Sequence, residues 1–427
     1  MTTTDDSFLA QGRIPSLNGN TRSAPVAPDV AAARAVALAA TVKDTEVLPL
    51  LEAAGRVLIG PMLSRNAVPP FNASAMDGYA VRTEDFSGQG PWTFAVEGRR
   101  AAGDKPAQLA HRPGTTLRIF TGAPVPDGFD AVVMQERCVR SGDHVTFGAR
   151  PAGGHNIRFY GEDIASGASL LAKGALLTPT RLALLAGAGH GQISVARKVR
   201  IALISTGSEL REPGEELTPG QIHNSNRILL RAMLAESKWA DVEDFGIVAD
   251  DRDALRHVLA KAAATCDAII TTGGVSAGEE DHVASVLRDG DGELDVVQVA
   301  MRPGKPVKIG RIGRSLFVGL PGNPNAALVT FRRIALPALR TMAGLADIDP
   351  VTQPVITGFS HAARQGRTEF VPARFSGQTV NGLPVIERLA RGSSASLSAA
   401  ATADGIALLP PGDDAIAEGT LVQFEPF

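Results

Sequence analysis

Arg200-Ile201-Ala202-Leu203-Ile204, followed without a break by Ser205-Thr206-Gly207-Ser208-Glu209, is a short apolar strand that runs into a small polar turn. Outward from it the chain predicts a helix near Asn226 to Ser237, a strand at Val242 to Val248, a helix at Asp253 to Ala264 and the strand Asp267-Ala268-Ile269-Ile270-Thr271. Strands alternating with helices in this way predict parallel pairing with helices on both faces, a three-layer α/β domain.

The last of these strands ends at Thr272-Gly273-Gly274-Val275-Ser276-Ala277-Gly278, just before Glu279-Glu280-Asp281. Glycines let the backbone turn sharply there, and N–H groups at the start of the next helix can hold an anion. A tight turn without a ligand is the plain alternative for one glycine pair. Two further loops weigh against it: Arg302-Pro303-Gly304-Lys305-Pro306 and Leu320-Pro321-Gly322-Asn323-Pro324 each follow an apolar run. Loops beyond strand ends converge on the ligand crevice of an open α/β sheet. Arg302 and Lys305 add cationic contacts suited to phosphate. Glu209 follows the first strand, Asp250 and Asp251 the second, and Asp281 the glycine turn, so three loops bring carboxylates toward a magnesium site. Taken singly, Asp250 and Asp281 read equally well as helix caps. No Gly-x-Gly-x-x-Gly opens the first unit and no Gly-Lys-Ser/Thr follows the glycine turn, which argues against a nicotinamide dehydrogenase and a P-loop kinase.

A chain of 427 residues exceeds what one core usually serves, so smaller units are expected beside the α/β domain. The formal charge of -3 provides no global attraction to nucleic acid, and any phosphate chemistry must come from local placement. Cys138 and Cys266 form no metal-spaced cluster and fit a reducing compartment. Residues 1–28 mix Thr, Asp, Asn, Ser and Pro and read as a disordered leader without an export signal. The most apolar helical stretch, Val30 to Val42, is shorter than a bilayer span and contains Arg34. A cytoplasmic protein without membrane or nucleic-acid partners is expected.

Asp29 is placed to cap a helix running to about Val42, with Val36, Leu38 and the neighbouring alanines on its packing face. Short apolar runs at Trp92 to Val96, Leu117 to Phe120, Ala131 to Met134 and Val139 to Phe147 mark a small β-rich module. Thr178-Pro179-Thr180 opens a further helix, with Gly187 available to end it. This helix and the one at Asp29 are read as one unit interrupted by the β-rich module.

Phe71-Asn72-Ala73-Ser74-Ala75-Met76-Asp77-Gly78-Tyr79-Ala80, Thr121-Gly122-Ala123-Pro124-Val125-Pro126 and Gly161-Glu162-Asp163-Ile164 resemble, in order, the signatures of the molybdopterin molybdenumtransferases, the bacterial MoeA family related to the C-terminal region of gephyrin. So do Ser205 to Leu210, Gly273-Gly274-Val275-Ser276, Pro303-Gly304-Lys305-Pro306 and Leu320 to Pro324, and the resemblance runs from about residue 29 to the end. It implies a multidomain α/β protein. Its parts are a discontinuous linking domain at 29–65 and 155–195, a β-rich inserted domain at 66–154, a three-layer molybdopterin-binding domain at 196–345 and a C-terminal β-domain at 346–427.

It also implies a homodimeric enzyme that inserts molybdate into adenylylated molybdopterin and releases AMP, with molybdopterin adenylyltransferase and molybdoenzyme maturation proteins as partners. Asp77, Thr121, Asp163, Glu209, Asp250 and Asp281 are the implied catalytic residues, and Mg²⁺ would sit on Glu209, Asp250 and Asp281. Gly273, Gly274, Ser276, Pro306, Pro321, Gly322 and Pro324 would shape the ligand pocket. Arg302, Lys305, Arg367 and Ser394 would form an oxyanion pocket for molybdate, unless Arg367 pairs with Glu369 and Ser394 caps a turn. Two positions depart from the family pattern: Ser208 stands where many relatives have aspartate, and Arg302 where many have lysine. An adenylyltransferase and a noncatalytic assembly scaffold are the alternatives. The Asp77 and Thr121 blocks and the C-terminal segment argue against the first, and the acidic loops against the second.

Overall fold

The computed structural model describes residues 24–105, 112–274, 286, 293–389 and 396–427. They divide into two units, one of residues up to Glu46, Gly55–Val57 and Ala196–Phe427, the other of Val47–Ala54 and Leu58–Val195.

In the first unit, six strands form one sheet: β1 (Val199–Thr206), β2 (Ala240–Val248), β3 (Ala268–Thr272), β4 (Glu293–Gln298), β5 (Pro306–Ile312) and β6 (Ser315–Leu320), in the order β2-β1-β3-β6-β5-β4. The first four in that order are parallel. The three strands covered by the alternation pair parallel as predicted, and β5 pairs antiparallel with both β6 and β4, so the full sheet is mixed. The reason is local: β5 and β6 are joined by a hairpin at Gly313, whose φ of 58° a side chain rarely adopts. β1 is buried on both faces, as its unbroken apolar run requires. Ala202 and Ile204 pack with Leu255, Leu259 and Ala262 of the helix Arg252–Thr265. The helix Ser225–Ala235, which buries Leu230 and Leu234, also rests on this sheet. Pro324–Thr330 continues through a π-helical turn, Phe331–Ala335, into Leu336–Met342. Pro337 has no N–H to give to the preceding turn, which accounts for the widening there.

The leading helix spans Pro28–Leu38, with Ala27 at its N-cap. Asp29 lies inside its first turn rather than capping it; of the expected packing face Ala31 and Ala35 are buried, while Val36 and Leu38 are partly exposed. That small-residue face packs on Leu336–Met342 and the π-helical turn. Alanines allow the close approach that larger side chains would prevent.

In the C-terminal segment, Thr368–Val380, Leu383–Arg388, Gln353–Thr357, Leu421–Pro426 and Gly405–Leu409 pair in that order, and the last pairs back onto the first. The sheet thus closes into a barrel around Val355, Ala373, Ile386, Ala407 and Phe424.

The second unit holds a six-stranded sheet in the order Ala131–Met134, Gly78–Val81, Thr115–Ile119, Trp92–Arg100, His144–Phe147, Cys138–Ser141. The expected run Val139 to Phe147 is two strands of a hairpin, broken at Gly142 with φ 58°. Phe86, at 4.9 Å from Phe94 and 5.4 Å from Phe147 between ring centroids, anchors its core. The helix Pro179–Gly187 starts as predicted, Thr178 accepting the Arg181 N–H. Its left-handed terminator is Gly189, φ 93°, rather than Gly187. Leu182 and Leu185 bury themselves with Ala53, Leu58, Leu177, Ile193 and Val195, joining chain from both sides of the six-stranded sheet.

Candidate functional site

Four loops of the first unit leave the same edge of the sheet. Thr206 is in register with Val248, Ser205 with Thr272, and Thr272 with Leu320, so the turns after β1, β2, β3 and β6 emerge side by side. β5 runs opposite to β6, with Lys308 across from Gly319, which brings Pro306 and the loop before it to that edge as well. Glu209, Asp250, Gly273, Gly274, Pro321, Gly322, Pro324 and Pro306 are therefore gathered at one rim.

The glycines at this rim are demanded by geometry. A Cβ on Gly273, φ 85°, would stand 2.2 Å from the Thr206 carbonyl oxygen. The Gly273 N–H donates to the Leu320 carbonyl at 3.2 Å. Gly322 lies against it, where an added Cβ would meet the Gly273 Cα at 3.7 Å. Glu209 and Asp250 are solvent-facing. Asp250 Oδ2 accepts the Ser208 N–H at 2.9 Å, while the Ser208 hydroxyl accepts the Asp250 N–H at 3.2 Å. Serine at 208 thus closes a reciprocal pair that aspartate would replace with two carboxylates side by side. Asp251, not Asp250, caps the following helix, accepting the Ala254 N–H at 2.7 Å.

Arg302, which its sequence position places in the anion pocket, carries an ion pair in the structure. Met301–Arg302 pairs with Thr368–Glu369 of the barrel, and the guanidinium donates to Glu369 Oε1 at 3.3 Å. Glu369 is buried, bonded to His361 and 3.5 Å from Arg364. The His361 Nδ1 lies 3.1 Å from the Arg388 guanidinium, which can only donate, so the proton sits on Nε2 facing the carboxylate. The Glu369 partners are Arg302, Arg364 and His361, and Arg367 is half-buried with no ion pair among the described residues. Lys305 is exposed, its carbonyl accepting the Val299 N–H at 2.8 Å.

The second unit gathers three other sequence blocks. Asp77 Oδ1 accepts the Thr121 N–H at 2.8 Å and the Thr121 hydroxyl at 2.7 Å. The backbone bond first, then the hydroxyl, holds the Asp77 carboxyl below the usual carboxylate range. Ile157 pairs with Ser74 and Arg158 with Ala73, and the Tyr160 N–H donates to the Asn72 side chain at 2.9 Å. Asp163 is exposed, held only through its N–H to the Val68 carbonyl. Its neighbour Glu162 has its carboxyl lowered, first by the Phe159 N–H and then by Arg158.

Two polar side chains in the first unit escaped the sequence reading. Lys308 is wholly buried in β5 and donates to the Gly274 carbonyl at 2.7 Å. Asn226 is buried and donates to the Gly322 carbonyl at 2.7 Å. The available signals were a lysine between Val307 and Ile309 and an asparagine in the first turn of a helix. Ser276, Asp281 and Ser394 lie outside the described residues, as does the leader as far as residue 23. No group of three or more His, Cys, Asp or Glu side chains among the described residues is arranged to hold a metal ion.

Family models match nearly the whole chain: the MoeA N-terminal region (domain I and II) over residues 28–189, a probable molybdopterin binding domain over 202–341, and the MoeA C-terminal region (domain IV) over 354–427. A molybdopterin molybdenumtransferase of Haemophilus influenzae is 40% identical over 302 residues, 70% of this chain and 74% of that one. Molybdopterin molybdenumtransferase 2 of Mycobacterium tuberculosis is 40% identical over 332 residues, 76% and 81% of the two chains. The crystal structure of the molybdopterin biosynthesis moeA protein of Pyrococcus horikoshii OT3 superposes with a TM-score of 0.80 at 28% identity, covering 95% of this chain and 100% of its own.

Proposed function

Because the chain belongs to the MoeA family, we propose that it is a molybdopterin molybdenumtransferase, which takes adenylylated molybdopterin, inserts molybdate at its dithiolene and releases AMP. The carrying observation is the rim where four strand-end turns meet: two close-packed glycine turns beside exposed carboxylates suit a phosphorylated ligand that needs charge compensation. The adenylyltransferase alternative is not favoured, since the relatives named above share the insertion activity by name and the family models match on both sides of the α/β domain.

In this reading the Gly273-Gly274 and Pro321-Gly322 turns, with Ser276, Pro306 and Pro324, hold the phosphate end of the ligand. Glu209 and Asp250 fit a hard cation, because both are solvent-facing oxygen donors at the ends of adjacent strands. With Asp281 they would hold Mg²⁺, which when bound supplies positive charge against the phosphoanhydride. Lys305, Arg367 and Ser394 take the molybdate oxygens. Arg302 acts there through its ion pair with Glu369, which ties the loop to the barrel.

Asp77, Thr121 and Asp163 are assigned their roles within the β-rich insertion, where the Thr121 N–H and hydroxyl hold the Asp77 carboxyl below the usual carboxylate range. The partition into linking domain, insertion, α/β domain and barrel is part of the same reading, as are a homodimer, a cytoplasmic location and hand-over to molybdoenzyme maturation proteins. The test is direct: purified chain, adenylylated molybdopterin and molybdate should yield AMP and a molybdenum-bearing pterin, read by chromatography and elemental analysis. AMP without molybdenum in the product, or neither, overturns the proposal.

A further inference from the structure

Lys308 and Asn226 treat the two glycine turns alike, from opposite sides of the sheet edge. Lys308 stands on a strand whose neighbours Val307 and Ile309 are buried apolar residues, and an ammonium removed from water is costly unless it is bonded. Its Nζ is 2.7 Å from the Gly274 carbonyl oxygen. Asn226, more than nine-tenths buried in the first turn of Ser225–Ala235, places Nδ2 2.7 Å from the Gly322 carbonyl oxygen. A carbonyl at that distance fixes which end of the amide is nitrogen, since the reverse would set two acceptors against each other. Each bond captures the carbonyl of a glycine, the residue whose peptide planes are freest to rotate. Gly274 sits at φ 61°.

A peptide unit is planar, with its carbonyl and the next residue's N–H pointing opposite ways. A buried donor that draws the Gly322 carbonyl inward therefore turns the Asn323 N–H outward. We propose that Lys308 and Asn226 are positioning residues for ligand binding, holding the peptide planes of both glycine turns in the orientation that receives the anionic end of the substrate. Neither side chain touches the ligand in this scheme. The inference rests on the reading that these turns hold the phosphate end of adenylylated molybdopterin.

Lys308→Met and Asn226→Leu remove the donors while keeping approximate bulk. The measurements are calorimetric binding of adenylylated molybdopterin and AMP release titrated separately with that substrate and with molybdate, on dimeric or monomeric full chain as it is isolated. Each variant is expected to raise the Kd and KM for adenylylated molybdopterin about tenfold, the effect of one well-placed hydrogen bond. The molybdate KM and kcat should stay within about twofold of the parent, as for loss of uniform binding. A role in stability alone would lower the melting temperature and leave KM of the folded protein unchanged. Folded variants with parental KM, or with reduced kcat at parental KM, overturn the inference. Should Lys308→Met fail to fold, Asn226→Leu decides by the same criteria. A parental chain that binds no adenylylated molybdopterin overturns the functional reading, and this inference with it.

Discussion

Replacing Gly273 by alanine tests whether the glycine turn is held by close approach rather than by backbone freedom alone. The φ of 85° places an L-residue in the left-handed region, at a cost of about 1–2 kcal/mol. The added Cβ would lie 2.2 Å from the Thr206 carbonyl oxygen, where ordinary C···O contacts begin near ~3.3 Å, so the turn must retreat by roughly 1 Å. That retreat breaks or stretches the 3.2 Å bond to the Leu320 carbonyl, worth about 1 kcal/mol. The sum is about 2–3 kcal/mol. Gly313→Ala is the control: its φ of 58° carries the same backbone cost, with nothing within 4 Å of the new Cβ. The two variants should differ by about 1 kcal/mol, or roughly 2–4 °C in melting temperature for a unit of this size. A displacement of about 1 Å at the ligand loop should also slow AMP release by roughly 100-fold in Gly273→Ala. If Gly273→Ala melts within a degree of Gly313→Ala and releases AMP at the parental rate, the close-packing argument is wrong.

Asp267→Asn should lower stability at neutral pH by about 1–3 kcal/mol, because Asp267 receives two bonds from Arg197, at 2.9 and 3.1 Å, and the Arg200 N–H. Burial pushes the Asp267 carboxyl up, but these bonds outweigh it and hold the value below that of a free aspartate. A depressed folded value means stability present above the unfolded pKa and lost as pH falls through the folded one, so the parent's acid limb, followed by circular dichroism, should flatten in the variant. Thr121→Val should move the Asp77 carboxyl titration upward, read by carbon NMR, since one of its two bonds is removed; an unmoved titration would show that the hydroxyl does nothing for the charge. Lys305→Ala and Arg367→Ala should raise the molybdate concentration for half-maximal cofactor formation by about tenfold while the Kd for adenylylated molybdopterin holds. Parental molybdate dependence in both folded variants would remove them from the oxyanion pocket.

The α/β domain was legible in sequence because its signals are local. A strand buried on both faces must be apolar, as Ile201–Ile204 is, and a helix N-terminus needs a nearby acceptor and tolerates proline, as at Thr178-Pro179. The motif blocks were equally visible, and the fold sets Asp77 against Thr121. Less visible were the residues whose meaning depends on a distant neighbour. Arg302 is ion-paired with Glu369, 67 positions later. Lys308 holds the carbonyl of a turn 34 positions earlier.

By itself, then, the sequence determined which segments became strand, helix and glycine turn, and from its ordered motifs the family. The tertiary structure decided that the sheet is mixed, that Ser208 and Asp250 close on each other, and which carboxylate Arg302 pairs with. The physical division is one of range. Backbone propensity and hydrophobic period act over a few residues and are written in consecutive letters, whereas a hydrogen bond or ion pair between elements exists only once register and packing have brought its two ends within about 3 Å.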